Sequence, residues 1–151
     1  MTTTKQSTYN ELFDRHELWL SGKLSEDTPR IRLGIKHQNV EGVEFIGRNL
    51  DESVFRNCYF SNVVKDTNFE GADFIECLFQ NTVFENVSFN GAYFRHCNFV
   101  GCTFRNCMFD YAVLESVYFK ECLLKDVTFY DSDRLSFYLE NHDLSRVYGL
   151  E

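Results

Sequence analysis

From Thr67 to Phe129 a large apolar residue recurs at every fifth position. The slots are Phe69, Phe74, Phe79, Phe84, Phe89, Phe94, Phe99, Phe104, Phe109, Leu114, Phe119, Leu124 and Phe129. A second, smaller residue stands two before each of them, from Thr67, Ala72 and Cys77 through to Cys122 and Val127. A strand repeats its faces every two residues and a helix every 3.6, so a strict period of five fits neither. It fits a solenoid in which five residues form one short side of a polygon. The large residue and the small one then point inward, and the other three point out. Those three are mostly Asn, Asp, Glu, Arg, Lys, Ser and Gly, as this requires. Gly71, Gly91, Gly101, Asn57, Asn81, Asn86 and Asn106 sit three before a centre, where the chain must turn. Gly and Asn tolerate the unusual backbone angles of such corners.

The register extends upstream through Ile35, Val40, Phe45, Leu50, Phe55 and Phe60, with a less regular small slot that includes Gln38 and Arg48. Both are too polar for a tight interior without partners, which predicts irregular early turns. Between Phe60 and Phe69 the register slips by one, so a local deformation is expected near Asn62 to Asp66. The spacing of Tyr9, Leu12, Phe13, His16, Trp19 and Leu20 predicts a helix over Thr8 to Leu20. Thr8 and Glu11 form its capping box and Gly22 its stop. Lys23 to Arg30, with Pro29, reads as a loop. After Phe129 the next centre is Arg134, and the pattern resumes in worn form at Leu139, with Phe137, and Leu144, with His142. The chain thus divides into a capping helix and loop over 1–30, a repeat coil over 31–131, and a degenerate last turn or cap over 132–151. Repeat arrays need such caps at their open ends.

The segments Phe69-Glu70-Gly71-Ala72-Asp73-Phe74 and Asn90-Gly91-Ala92-Tyr93-Phe94 resemble the pentapeptide-repeat family, whose consensus is A-(D/N)-L-x-x. The stretch Arg15-His16-Glu17-Leu18-Trp19-Leu20 is similar to the lead-in helix of some members. The resemblance implies an all-β solenoid, a right-handed quadrilateral β-helix with four pentapeptides to a turn, here with a short N-terminal α-helix as its cap. This chain departs from consensus in using Phe where Leu is usual, and often Cys, Thr or Val where Ala is usual. Twenty residues per turn then place Phe69, Phe89, Phe109 and Phe129 in one column. Phe74, Phe94 and Leu114 form a second, Phe79, Phe99 and Phe119 a third, and Phe84, Phe104 and Leu124 a fourth.

Composition narrows the chemistry. No apolar run approaches ~18 residues, so no membrane span is expected. Met1 to Ser7 is polar and carries no signal-peptide pattern, which reads as a cytoplasmic protein. All six Cys occupy the small slot, which favours buried reduced thiols over a disulfide framework. Cys97, Cys102 and Cys107 are five apart, on successive sides of the coil, unlike the close pairs of a zinc site. Neither a metal nor another cofactor is expected. The four His lie in no nucleophile motif, and no P-loop, G-x-S-x-G, H-E-x-x-H or dinucleotide signature is present, so no catalytic residue is assigned and no enzyme is expected.

The formal charge of −8 excludes nucleic acid as a direct ligand, since phosphate binding needs a basic surface. Assigned to sides by the four-fold register, the acids gather on the Phe69 and Phe74 sides. Asp51, Glu52, Glu70, Asp73, Glu76, Asp110 and Glu115 make up the candidate interaction face, with Arg48, Arg56 and Arg95 as its bases. The outward apolar residues Leu78, Val83, Val100 and Leu123 read as scattered surface. The expected role is a rigid scaffold for a protein partner of unknown identity, as a monomer or an end-to-end homodimer. Some members of the family bind or protect DNA gyrase by presenting a rod of DNA-like shape and charge. The resemblance therefore implies a second reading, a mimic that binds a type II topoisomerase. With Asp131 counted as an eighth acid on these two sides, they carry one net charge per ~4.4 Å, against one per ~1.7 Å in duplex DNA, which favours the first reading.

Overall fold

The backbone turns a corner at every fifth residue. From Asp66 to Asp131 a left-handed conformation recurs without a break at 66, 71, 76 and so on, occupied by Gly71, Gly91 and Gly101 and by residues such as Asn81, Asn86 and Asn106. No Val, Ile or Thr stands at any of these positions, because a β-branched side chain is strained there. Four corners close a turn of twenty residues, and each turn hydrogen-bonds to the next in parallel register, as Phe74 with Phe94 and Phe84 with Phe104. In this computed structural model, which describes residues 3–22, 32–140 and 142–151, three parallel sheets form the walls. The first stacks Gly34–Lys36, Val54–Arg56, Asp73–Ile75, Tyr93–Arg95 and Val113–Glu115. The second stacks Tyr59–Phe60, Leu78–Gln80, Asn98–Val100, Val117–Lys120 and Phe137–Glu140. The third runs Phe45–Ile46, Val63–Asn68, Val83–Ser88, Thr103–Met108, Leu123–Thr128 and Asp143–Tyr148. Its longer strands bend at a left-handed residue such as Asn86 and so cover two of the four sides.

The interior is filled by the expected columns. Phe79, Phe99 and Phe119 lie face to face at 4.5 and 4.6 Å, with Phe60 joining at 4.5 Å. Phe74 and Phe94 stack at 4.9 Å, Phe84 and Phe104 at 4.8 Å, and Phe89 and Phe109 at 4.8 Å. Across the corners the rings meet tilted or edge to face instead, as Phe79 with Phe84 at 57°, Phe84 with Phe89 at 73° and Phe99 with Phe104 at 66°. That geometry suits the quadrupole of the rings. Ala72, Ala92 and Ala112 leave room for them in the small slot and are fully buried.

The register slip sits at the N-terminal edge of the expected stretch. Strand pairs that span it are offset by 19 residues, as Phe45 with Val64 and Tyr59 with Leu78, while those before it are offset by 20, as Ile35 with Phe55. After it the offset is 20, as Val63 with Val83. The residue is missing at Ser61–Asn62, in the one corner between Glu52 and Asp131 without a left-handed residue. Val63–Asn68 is a regular strand and Asp66 an ordinary corner. The early turns are irregular as expected: Gln38 is exposed and Asn39 makes only an isolated bridge to Tyr59.

Helix α1 spans Thr3–Ser21, so it starts before the capping box at Thr8. Contacts with the coil hold this extra turn. Gln6 accepts from the Glu44 N–H at 2.8 Å, and Lys5 donates to the Asn39 and Glu41 carbonyls. The helix ends at Gly22, whose N–H returns to the Trp19 carbonyl with a left-handed φ of 70°. Its buried face is Tyr9, Phe13 and His16, while Leu12 points outward. Arg48, too polar for the interior, lies between helix and coil. It pairs with Asp14 and Glu17 at 2.6 Å and sits over the Phe13 ring. The loop expected over Lys23 to Arg30 lies outside the described residues.

Residues 132–140 and 142–151 form a last turn. Phe137 and Leu139 pair with Val117 and Phe119, and Leu144 with Leu124. It is less well covered than the rest: Phe137 and Leu139 are half-buried and Leu144 is 39% exposed.

Truncating one stacked ring, as in Phe94→Ala, is expected to lower the unfolding free energy by roughly 3–5 kcal/mol in urea titrations. A loss under about 1 kcal/mol contradicts the stacked core. A second expectation concerns His16, which is fully buried. Leu33 N–H donates to its Nδ1 at 2.9 Å, so its Nε2–H donates to the Asp51 carbonyl at 2.7 Å. The ring must be neutral to serve both partners. Burial holds its pKa below the usual histidine value, Arg32 adds to the lowering, and Asp51 and Glu17 oppose it. The stabilisation is therefore complete above about pH 6.5 and is lost as pH falls from there through the depressed folded value. Asp51, whose own carboxyl is pushed up by burial, acts in the opposite sense at lower pH. Trp19, the chain's single Trp, stacks on His16 at 5.3 Å and reports the change. Its fluorescence should follow acid release of α1, and His16→Gln should remove that dependence. A Trp19 signal flat through this range contradicts the assignment.

Candidate functional site

Because the interior is occupied by the chain's own rings, the surface columns are what a partner can meet. The seven acidic candidates lie on the first sheet and on the two corners that bound it. Asp73 and Glu115 stand on the sheet itself, beside Lys36, Arg56 and Arg95. Asp51, Glu52, Glu70 and Asp110 follow the corner before it, and Glu76 the corner after it.

The structure brings these acids to one side of the rod but binds most of them to the chain itself. Asp51 accepts the Glu70 N–H at 2.9 Å, and Asp110 accepts the Tyr130 N–H at 2.9 Å. With Asn90, which accepts the Asp110 N–H at 3.0 Å, they form a ladder that caps backbone donors from turn to turn. Glu70 accepts from the Ser88 hydroxyl at 3.0 Å. Asp73 pairs with Arg32 at 3.2 Å. Glu115 accepts from the Tyr93 hydroxyl at 2.7 Å and pairs with Arg95 at 3.4 Å, and those two neighbours hold its carboxyl below the usual range. Sequence reasoning missed Arg32 and Tyr93. Arg32 lies before the regular register begins, and Tyr93 is an outward residue with no charge.

Three of the four outward apolar residues fall in columns with other apolar side chains, while Val100 stands alone between Gln80 and Lys120. Val83, Thr103 and Leu123 share one column, continued below by Val63. Leu78, Asn98, Tyr118 and Tyr138 share another on the second sheet. The two columns straddle the corner at Asn81, Gly101 and Glu121. Tyr118 and Tyr138 stack at 4.5 Å and are 41% and 46% exposed, so the strip offers aromatic faces to solvent. At its N-terminal end are Val63 and Ile46, each about half exposed.

The six thiols are structural donors. Each is buried and gives its S–H to the carbonyl of a centre residue one turn back, as Cys97 to Phe74 at 3.2 Å and Cys122 to Phe99 at 3.3 Å. Thr67 and Thr82 do the same with their hydroxyls at equivalent slots. Burial pushes the Cys107 thiol up to about 12 and that of Cys102 upward too, so neither is a nucleophile near neutral pH. Among the described residues no group of three or more His, Cys, Asp or Glu is placed to hold a metal ion. Nor is any described helix long and apolar enough to cross a membrane.

A family model for the pentapeptide repeat region matches residues 72–147, just over half of the chain. No curated protein matches the sequence. Among solved structures, the chain is similar to a trypsin-treated form of QnrB1, a plasmid-mediated fluoroquinolone resistance protein. There the identity is 20% over 76% of this chain and 72% of that one, with a TM-score of 0.44. It is also similar to Rfr23, a pentapeptide repeat protein from the cyanobacterium Cyanothece 51142, at 12% identity over 74% and 90% of the two chains and a TM-score of 0.47. A pentapeptide repeat protein from the Arabidopsis thaliana thylakoid lumen matches at 18% identity over 68% of each chain, with a TM-score of 0.44.

The thiol assignment is checked with a chromogenic thiol reagent at neutral pH. Native protein should react slowly or not at all, and six thiols should titrate once it is unfolded. Rapid reaction of the native protein contradicts the buried slots.

Proposed function

The chain belongs to the pentapeptide-repeat family, and from that premise we propose that it is a non-enzymatic scaffold that docks a partner protein along its outer surface. The observation that carries this reading is the strip of Leu78, Val83, Leu123, Tyr118 and Tyr138 along one corner of a rod whose interior is already filled. Outward rows of aliphatic and aromatic side chains, held rigid by the ladder beneath, offer contact area at little entropic cost. The six buried thiols support residence in a reducing compartment such as the cytosol.

The acidic corners are the second candidate surface, and with them goes the reading as a DNA mimic that binds DNA gyrase or another type II topoisomerase. It is the weaker one. A mimic needs carboxylates free to meet a basic groove. Here Asp73 and Glu115 are ion-paired, and Asp51 and Asp110 cap backbone N–H groups.

Two variants separate the readings. The first, Val83→Lys with Tyr118→Lys, alters the strip; the second, Glu52→Lys with Glu70→Lys and Glu76→Lys, reverses the acidic corners. Both change outward residues and should keep the parent circular dichroism. A partner captured from host lysate should be lost with the first variant and kept with the second. The opposite result, or inhibition or protection of gyrase supercoiling at micromolar protein that only the second variant removes, overturns the strip in favour of the mimic.

A further inference from the structure

The corner that leads into the first sheet changes character along the rod. At Gly71 and Gly91 it carries no side chain, and a Cβ added at Gly91 would meet nothing closer than 4.0 Å. One turn on, the same position holds Tyr111, and the turn after that holds Asp131, both in the left-handed region. The column just before this corner has the opposite order, Asp110 and then Tyr130. The twenty-residue register therefore sets four side chains in a square, with the tyrosines on one diagonal and the aspartates on the other. Backbone bonds fix the square. Tyr111 N–H donates to the Tyr130 carbonyl at 2.9 Å, and Tyr130 N–H donates to Asp110 Oδ1 at 2.9 Å. Met108, Thr128 and Tyr148 form the column beside it.

These side chains are open to solvent. Tyr111 is 67% exposed and Tyr130 48%, and Met108 and Tyr148 beside them are exposed too. The glycine corner below Tyr111 places no side chain against it from that direction. The carboxylates are available as well. Among the described residues no ion pair or hydrogen bond engages the Asp131 side chain, and Asp110 gives one oxygen to the Tyr130 N–H and keeps the other. No base stands in these three columns from Ser88 to Tyr148. Arg95 and Arg134, on the turns alongside, are engaged elsewhere, with Glu115 and with the Glu151 carbonyl. The adjoining sheet shows what such a group of side chains holds. There the Arg95 guanidinium lies over the Tyr93 ring, 5.1 Å from its centroid, and Glu115 pairs with it at 3.4 Å. A tyrosine face and a carboxylate together bind a cation. The square has both components twice over and no cation of its own.

We propose that this square docks a basic segment of another protein through its cationic side chains. A guanidinium or ammonium group lies on the tyrosine faces and pairs with Asp131 and the free oxygen of Asp110. Its methylene stem covers Met108 and Tyr148. Charge complementarity selects this partner, since the square holds two carboxylates and no base, on a chain of net charge −8. An acidic segment would meet like charge, and an uncharged one would leave both carboxylates without a counter-charge. The contact is local and depends on ring faces as much as on charge, so it needs no DNA-like charge density along the rod. It also lies on the corner diagonally opposite the strip at Asn81, Gly101 and Glu121. The inference thus goes beyond the docking strip and adds a second, independent surface.

The test is a titration of the isotope-labelled full chain with the peptide acetyl-Arg-Gly-Arg-amide, read by NMR. The same peptide with citrulline for arginine serves as the neutral isostere. Saturable shifts should centre on residues 108–111, 128–131 and Tyr148, with the citrulline peptide weaker by at least about five-fold. Tyr111→Asn with Tyr130→Ala should weaken arginine binding by about five-fold or more. Asparagine is used at 111 because this kind of corner accepts it at Asn81 and Asn106. Tyr111→Phe with Tyr130→Phe should keep most of the response, because the ring face and not the hydroxyl makes the contact. If the first variant disturbs circular dichroism, Asp131→Asn decides by showing the same loss. An equal response to citrulline overturns the proposal. So does undiminished binding by the variant without the two tyrosines, which would mark attraction by net charge alone. Shifts spread evenly over the acidic corners, or no saturable shift by roughly 50 mM peptide, overturn it too. Val83→Lys with Tyr118→Lys should leave the titration unchanged. A silent titration therefore removes the square and leaves the strip standing.

Discussion

The backbone and the rings share one repeat distance, and the rest of the structure depends on that coincidence. Parallel strands hydrogen-bond at about 4.8 Å. Phenylalanine rings stacked in register on those strands lie 4.5 to 4.9 Å apart through most of the columns. Neither the backbone nor the rings must deform to satisfy the other. Face-to-face stacking is not the geometry aromatic rings prefer when free. Here the pitch imposes it, and the tilted and edge-to-face contacts across the corners offset the cost. Phe69 meets Phe74 at 68° and Phe89 meets Phe94 at 64°, so each ring has a stacked neighbour above or below and a tilted one beside it.

The same repeat explains what could be read from the sequence. An inward position every five residues is a demand on side-chain size, and Phe69 through Phe129 record it directly. The corners were legible too, because the left-handed region filters out β-branched residues at Asn81, Asn86 and Gly91. What escaped was set by tertiary contact. The first turn of α1 exists because Gln6 and Lys5 dock on the coil, and no local signal before Thr8 records that. The slip was visible as a count, but the way the short corner is closed was not. Only the hydrogen bonds of Asn62 show that one amide replaces a missing corner.

The surface was less legible than the core for a related reason. Charge can be counted in a sequence, but pairing cannot. The seven acids do fall on one side of the rod, yet Arg32 and Arg95 pair with two of them and two more cap the backbone. The apolar outward residues looked unrelated because they are 5 to 45 positions apart in the chain. The coil places Val83 and Leu123 in one column and Leu78 in another on the far side of a corner, and the register that orders the Phe core also stacks Tyr118 on Tyr138. The outward columns and the shortened corner at Asn62 thus follow from the ladder, the first from its regularity and the second from a lapse in it.

If stacked rings hold the coil together, stability should be greatest where the stack is unbroken and fall toward both ends. Native-state hydrogen exchange measures this residue by residue. The account predicts that the slowest amides lie in the strands between Asp73 and Thr128 and exchange only by global unfolding. Gly34–Lys36, α1 and Asp143–Tyr148 should open at lower free energy. Slowest exchange in α1 or in the turns before Asn62, with faster exchange between Phe74 and Phe119, would contradict the aromatic ladder as the organising interaction.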